Sequence, residues 1–217
     1  MDGVGGSVLV LLATATAALA YYLRQHLPRQ LDARTRESIK VFSKAVELRF
    51  PTHEGLTERV AEICVVVGIR LGLNDRQLRT LDLVAQLRDI GLCAVPYRLI
   101  NGKSFVRWTE TEKEAYLKHA ETSANMLEQI PMLKMLAPMV RHHHAPFDEK
   151  LPIESRILKV VGDYVWSERW QGEMLARTYL EQGSGKEYDP RIVTALFDVL
   201  TSTRAAEPVP ELAPAAR

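Results

Sequence analysis

The stretch from Asn74 to Gly91 reads NDRQLRTLDLVAQLRDIG, and its reading decides the fold. Leu78, Leu81, Val84, Ala85 and Leu87 recur at the spacing of one helix face. Asn74 or Asp75 offers a capping oxygen at the start and Gly91 offers a stop at the end. The helix therefore closes on an acid, Asp89, preceded by Arg88. A carboxylate in the last turn opposes the helix dipole, so Asp89 has to be there for some other reason.

The same period continues on both sides. Upstream, Ile39, Phe42, Val46 and Phe50 mark a helix over Glu37 to Phe50 that Pro51 ends, and Leu56, Val60, Ile63, Cys64, Val67 and Leu71 mark one over Glu54 to Leu71 that Gly72 stops. Downstream, after a loop with Pro96 and Gly102, Thr109 and Glu112 make a T-x-x-E capping box for a helix running to about Gln129. Its inner side carries Tyr116, His119, Ala120, Ser123 and Leu127. A helix from Met132 has to stop before Pro146, which puts His142, His143 and His144 in its last turn. Ile153 to Trp166 reads as another helix, and Asp189-Pro190 opens a final one. No segment alternates as a strand would, so the expectation is an all-α helical bundle.

With 217 residues, 47% hydrophobic and 25% charged, the chain supports one sizeable core. Its 28 basic and 27 acidic residues leave a net charge of +1 without basic blocks, which argues against a nucleic-acid partner. Cys64 and Cys93 form no C-x-x-C pair and suit a reducing compartment. Val4 to Leu23 is uncharged, and as a helix it would cover roughly 30 Å, the thickness of a bilayer core. Arg24, Arg29, Arg34, Arg36 and Lys40 follow it, which by the positive-inside rule keeps the C-terminal part in the cytoplasm. A cleaved signal peptide is the alternative, since Ala18-Leu19-Ala20 resembles a cleavage site, but the basic start of such a peptide is lacking. The expected organisation is an anchor over 1–23, a basic juxtamembrane segment over 24–36, a helical domain over 37–203 and a disordered Pro/Ala-rich tail over 204–217.

Asp89, His119, His143 and His144 are ligand types for borderline transition metals such as zinc, iron and manganese. In their order along the chain they resemble the HD-GYP branch of the HD-domain metal-dependent phosphohydrolases, whose characterised members hydrolyse cyclic di-GMP. Gly55-Leu56-Thr57-Glu58-Arg59-Val60-Ala61, after Ala45-Val46-Glu47, is similar to the family's G-H-S-x-R-V-A. Leu87-Arg88-Asp89-Ile90-Gly91-Leu92 resembles L-H-D-I-G-K, and His119 to Ser123 resembles H-P-x-x-G. His143-His144-Ala145-Pro146-Phe147-Asp148-Glu149 resembles H-H-E-x-x-D-G, Arg156 through Asp163 resembles A-R-I-L-x-V-A-D, and Tyr188-Asp189-Pro190 resembles F-D-P.

Carried over, the resemblance implies a first metal set of Leu56, Arg88, Asp89 and Asp163, in which two imidazoles are lost. A guanidinium has no lone pair to replace one. The second set, Asp89, His119, His143 and His144, is complete. Leu92 stands for the family's lysine, and only Lys150-Leu151-Pro152 lies between Glu149 and Ile153, so the G-Y-P loop is missing. Two-metal hydrolysis needs both cations. The resemblance therefore implies a degenerate bacterial signalling module, and the apolar run with the basic residues after it implies that it is tethered to the inner membrane. It would hold one divalent ion (iron, manganese or zinc) and work by binding a cyclic dinucleotide or other nucleotide, a protein partner, or a second copy of itself. The alternative is an active phosphohydrolase on another substrate, with Asp89 catalytic.

Ordinary structural roles stay open beside these. His143 and His144 would suit a helix C-terminus without a metal, and His119 could pack in a groove. Leu56 continues an apolar stripe, and His53 precedes that helix as a weaker substitute ligand. Arg88 either replaces the missing cation by a bidentate contact with Asp163 or points to solvent.

Overall fold

The computed structural model describes residues 2–102 and 107–206. Among them the fold is all-α, with an isolated bridge between Ser184 and Tyr188 as the one extended pairing. The chain divides into two compact units, Met1–Phe42 and Ser43–Arg217.

The first unit is helical. Helix α1, Asp2–Tyr21, is apolar, and a π-helical turn, Tyr22–His26, separates it from α2, Leu27–Leu48. The sequence reading started this second helix at Glu37. It begins ahead of Pro28, which fits because proline is tolerated in a first turn, and Arg36 pairs with Asp32 at i,i+4 to support the exposed face.

The second unit is built from α3, Leu56–Arg70; α4, Asp75–Leu87; α5, Tyr97–Gly102; α6, Glu110–Glu128; α7, Ala137–Arg141; α8, Ile153–Gln171; α9, Glu173–Gly183; and α10, Pro190–Ala206. Asn74, not Asp75, caps α4, in a full capping box with Gln77, and Thr109 with Glu112 caps α6 in the same way. Glu47 reaches from the end of α2 to accept hydrogen bonds from the Gly55 and Thr57 amides, which satisfies the open N-terminus of α3. Helix α3 lies between α4 and α8. Val60, Cys64 and Val67 of α3, Leu81 and Val84 of α4, and Ile157 and Val161 of α8 are all buried.

Other readings need correction as well. The loop after Cys93 contains α5. Pro138 in the first turn of α7 prevents continuation from Met132, so that helix is short and His142 to His144 lie in the turn that follows it. Helix α8 runs past Trp166 to Gln171, where Gly172 at φ 86° releases the chain into α9. Gly91 is not a left-handed helix stop. A Cβ there would run into the His119 carbonyl and the Ser123 backbone, so glycine is required by the close approach to α6. The last helix extends through Ala206, and the remainder of the expected tail lies outside the described residues.

Candidate metal centre

Asp89 sits where α4 breaks. Arg88 is the last residue with helical angles, and Asp89 takes φ −101° and ψ 7°, in the sparsely allowed bridge region. On a continuous helix adjacent side chains diverge by about 100°. The break lets these two meet: Arg88 Nη2 lies 2.7 Å from Asp89 Oδ2, while Nη1 donates to the Ala85 carbonyl at 2.9 Å. Arg88 is buried. The turn is held against α6 by Ser123, whose hydroxyl donates to the Arg88 carbonyl and accepts from the Gly91 amide.

The other oxygen of Asp89 faces the histidines. Oδ1 is 3.2 Å from His119 Nε2 and 3.8 Å from His143 Nε2, and the ligand atoms of His119, His143 and His144 lie within 4.8 Å of one another. His119 comes from α6 and the other two from the turn after α7. His142, which follows α7 directly, is outside this cluster.

The ring nitrogens show what would fit there. His119 Nδ1 is 2.6 Å from the Tyr116 carbonyl and His143 Nδ1 is 2.6 Å from that of Val140. A carbonyl only accepts, so each Nδ1 carries the hydrogen and, in the neutral ring, Nε2 carries the lone pair. Those lone pairs converge. His119 Nε2 is 3.4 Å from His144 Nε2, and buried His143 Nε2 has no hydrogen-bond partner. The unpartnered His143 Nε2, close to a carboxylate and two further imidazoles, is a donor atom that a cation would satisfy. The Nδ1–carbonyl contact is also the one that orients metal-binding histidines.

Protonation agrees. Burial, reinforced by the neighbouring His119, brings His143 down to about 3. Burial and then His143 hold His144 well below its ordinary value. Burial alone would raise Asp89, but the Arg88 guanidinium, then His119, hold it well below the carboxylate range. An ionised carboxylate and neutral imidazoles are the forms that metal binding requires. The residues present fit a divalent transition metal.

The remaining residues of the expected first metal set are arranged differently. Leu56 is buried. Arg88 has Asp89, not Asp163, as its partner, and it does not point to solvent either. Asp163 instead binds Lys159 Nζ at 2.8 Å and the Tyr188 hydroxyl at 2.9 Å. Burial would lower Lys159, yet the Asp163 charge raises it, and burial pushes the Tyr188 hydroxyl up. The reading missed Lys159 and Tyr188. Lys159 was legible as an i,i+4 partner of Asp163, while Tyr188 arrives from a distant segment. Lys159 and Asp163 border a cavity of about 300 Å³ whose wall also includes Arg88, Asp89, His143 and His144.

Residues 40–192 match the family model for the HD domain. This chain belongs to the HD-domain family. HD-domain proteins are metal-dependent, and the His119–His143–His144 cluster of this one could hold an ion. Among curated proteins this HD domain is 25% identical over 187 residues to the cyclic di-GMP phosphodiesterase response regulator RpfG of Xanthomonas campestris, a match covering 77% of this chain and 49% of RpfG. It is 29% identical over 123 residues to the 3'3'-cGAMP-specific phosphodiesterase 3 of Vibrio cholerae, covering 57% of this chain and 26% of that one. The chain thus spans about half and about a quarter of these relatives. Two solved structures share the fold. The cyclic GMP-AMP specific phosphodiesterase V-cGAP3 of V. cholerae matches with a TM-score of 0.62 at 14% identity, over 77% of this chain and 49% of that one. The HD domain of L. monocytogenes PgpH, in complex with cyclic-di-AMP, matches with a TM-score of 0.53 at 15% identity, over 78% and 99%.

Proposed function

We propose that this chain is a membrane-tethered, catalytically degenerate HD-domain signalling module that holds a single divalent transition-metal ion on Asp89, His119, His143 and His144. On this reading it binds a nucleotide without hydrolysing cyclic di-GMP. One observation carries the proposal: Arg88 occupies Asp89 Oδ2. In a two-metal site the shared carboxylate gives one oxygen to each cation. Here Oδ2 is committed to a permanent positive charge, and Leu56 adds no ligand, so Oδ1 is left to serve the histidine side alone. A metal bound there would supply Lewis-acid polarisation of a phosphate oxygen. The chain's own groups orient: Tyr116 and Val140 carbonyls fix two rings, and Lys159, half-buried and paired with Asp163, places a cation in the cavity wall.

The similarity to phosphodiesterases of cyclic dinucleotides supports a nucleotide partner, and a protein partner or a second copy would complete the signalling role. Helix α1 is long and apolar enough to cross a membrane, and the basic residues after it support an inner-membrane anchor with the C-terminal unit in the cytoplasm. A reporter fused after Arg217 should then behave as cytoplasmic. Periplasmic activity would refute the topology.

The functional test uses the purified full chain, with metal content measured by mass spectrometry and turnover measured with cyclic di-GMP and manganese. A single ion per chain and no turnover above the blank are expected. Two tightly held ions would overturn the reading. Hydrolysis lost on Asp89→Ala would favour the second reading, an active phosphohydrolase with an altered substrate, which the completeness of the four-residue set supports.

A further inference from the structure

Among the described residues four buried side-chain polar atoms have no hydrogen-bond partner, and three of them, His53 Nε2, His143 Nε2 and Ser167 Oγ, belong to residues in the wall of the 300 Å³ cavity. Buried polar groups are nearly always paired, so unpaired ones on three residues that line one cavity call for a ligand. The metal cluster accounts for His143. It does not account for His53 or Ser167.

His53 ends the 3₁₀ turn Pro51–His53 and is 4% exposed. Its Nδ1 is 3.1 Å from Thr52 Oγ1, whose hydroxyl is directed to Asn101 Oδ1 at 3.4 Å. With that hydrogen spent, the Thr52 oxygen accepts from Nδ1–H, and Nε2 holds a lone pair. Burial keeps the ring neutral. Ser167 lies inside α8 and is also 4% exposed. Serine and threonine in helices commonly give their hydroxyl to the carbonyl four residues back, as Thr178 and Ser202 do. Ser167 does not. Trp166, half-buried, lines the same cavity, its ring centroid 5.1 Å from that of His53. One acceptor, one hydroxyl and an indole are what a planar, hydrogen-bonding ring needs.

We propose that His53, Trp166 and Ser167 form a subsite for such a ring, and that the cavity takes a phosphorylated ligand of single-nucleotide size. About 300 Å³ lies at the lower end of ligand pockets, suited to one nucleotide unit and not to two. Arg88 is paired with Asp89, Lys159 with Asp163 and Lys113 with Glu110, so the lining is charge-balanced, and a metal on the histidine cluster would supply the net attraction for a phosphate. His53 Nε2 and Ser167 Oγ are closed to solvent, so the ligand reaches them by side-chain rotation. The proposal rests on the reading of this site as nucleotide-binding and names its ligand class. A competing account is one buried water, because His53 also borders a void of about 10 Å³, close to the least volume that holds one.

The test is calorimetric titration of the full chain in manganese with AMP, GMP, ribose 5-phosphate and cyclic di-GMP. One of the mononucleotides should bind at least about tenfold tighter than ribose 5-phosphate, which lacks the ring, and tighter than cyclic di-GMP. His53→Phe keeps the ring against Trp166 but removes the acceptor. It should erase most of that advantage without lowering the melting temperature, and His53→Gln, whose amide oxygen can accept, should restore it. Equal affinity for nucleotide and ribose 5-phosphate, tighter binding of cyclic di-GMP, no binding of any probe, or wild-type discrimination in His53→Phe would each overturn the proposal, the last in favour of the buried water. Metal content in the same samples separates the two readings. Ring discrimination without bound metal leaves the subsite standing and removes the metal centre, and bound metal without discrimination does the reverse.

Discussion

Replacing Arg88 by alanine isolates the interaction on which the degenerate reading depends. At 2.7 Å the Arg88–Asp89 attraction is about 6 kcal/mol for an effective dielectric near 20. Most of this is offset in the native protein by the cost of burying both charges. In Arg88→Ala the Asp89 carboxylate, only 17% exposed, loses its counter-charge, and breaking a buried pair in this way typically costs about 3 to 5 kcal/mol. His119 Nε2 stays 3.2 Å from the other oxygen and the carboxylate keeps some contact with solvent, so we expect the lower end, about 3 kcal/mol. The assay is urea unfolding of the full chain followed by far-UV circular dichroism, in chelator and again in manganese. Manganese should stabilise Arg88→Ala more than the wild type, because the guanidinium that repels a second cation is gone. A cost under about 0.5 kcal/mol, the value for an ordinary surface residue, would refute the argument that Arg88 neutralises Asp89.

Restoring both lost imidazoles in Leu56→His/Arg88→His should raise the metal content from one ion per chain to two, read by mass spectrometry on the purified variant; an unchanged content would mean that Asp163, held by Lys159 and Tyr188, is unavailable as a ligand. Stability of the metal-free chain should decline on acidification from about neutral pH. His143 and His53 are depressed in the fold to about 3 and about 4, so protons bind the unfolded chain first and stability is lost as pH falls below their ordinary 6.5. Asp89, also depressed, adds a further loss below the usual carboxylate range. His143→Ala should flatten the upper part of that decline in denaturation curves taken between pH 7 and pH 4, and an unaltered slope would contradict the burial of a neutral ring. Gly91→Ala should cost more than about 3 kcal/mol, since its Cβ collides with α6 backbone that cannot yield as a side chain could, and metal binding should fall with it. A variant as stable as the wild type would show that α4 and α6 can separate without loss.

Much of the architecture was legible in local chemistry. The period of Leu78, Leu81, Val84 and Leu87, the Asn74 and Thr109 caps and the Asp189-Pro190 start are set by neighbours within a turn or two, so spacing reveals them. Asp89, His119, His143 and His144 were legible too, as residue types in a known order, and the fold brings them together. The tertiary structure alone decided where charges pair and where helices break. Whether Arg88 would meet Asp89, Asp163 or water depended on the backbone at Asp89 leaving the helix, and that break is imposed by α6 pressing on Gly91, contacts that no spacing encodes. The partnership of Asp163 with Tyr188 and the unpaired atoms of His53 and Ser167 belong to the same class. Each depends on which long-range neighbour occupies the last few ångströms of a buried site, a quantity set by packing and not by sequence period.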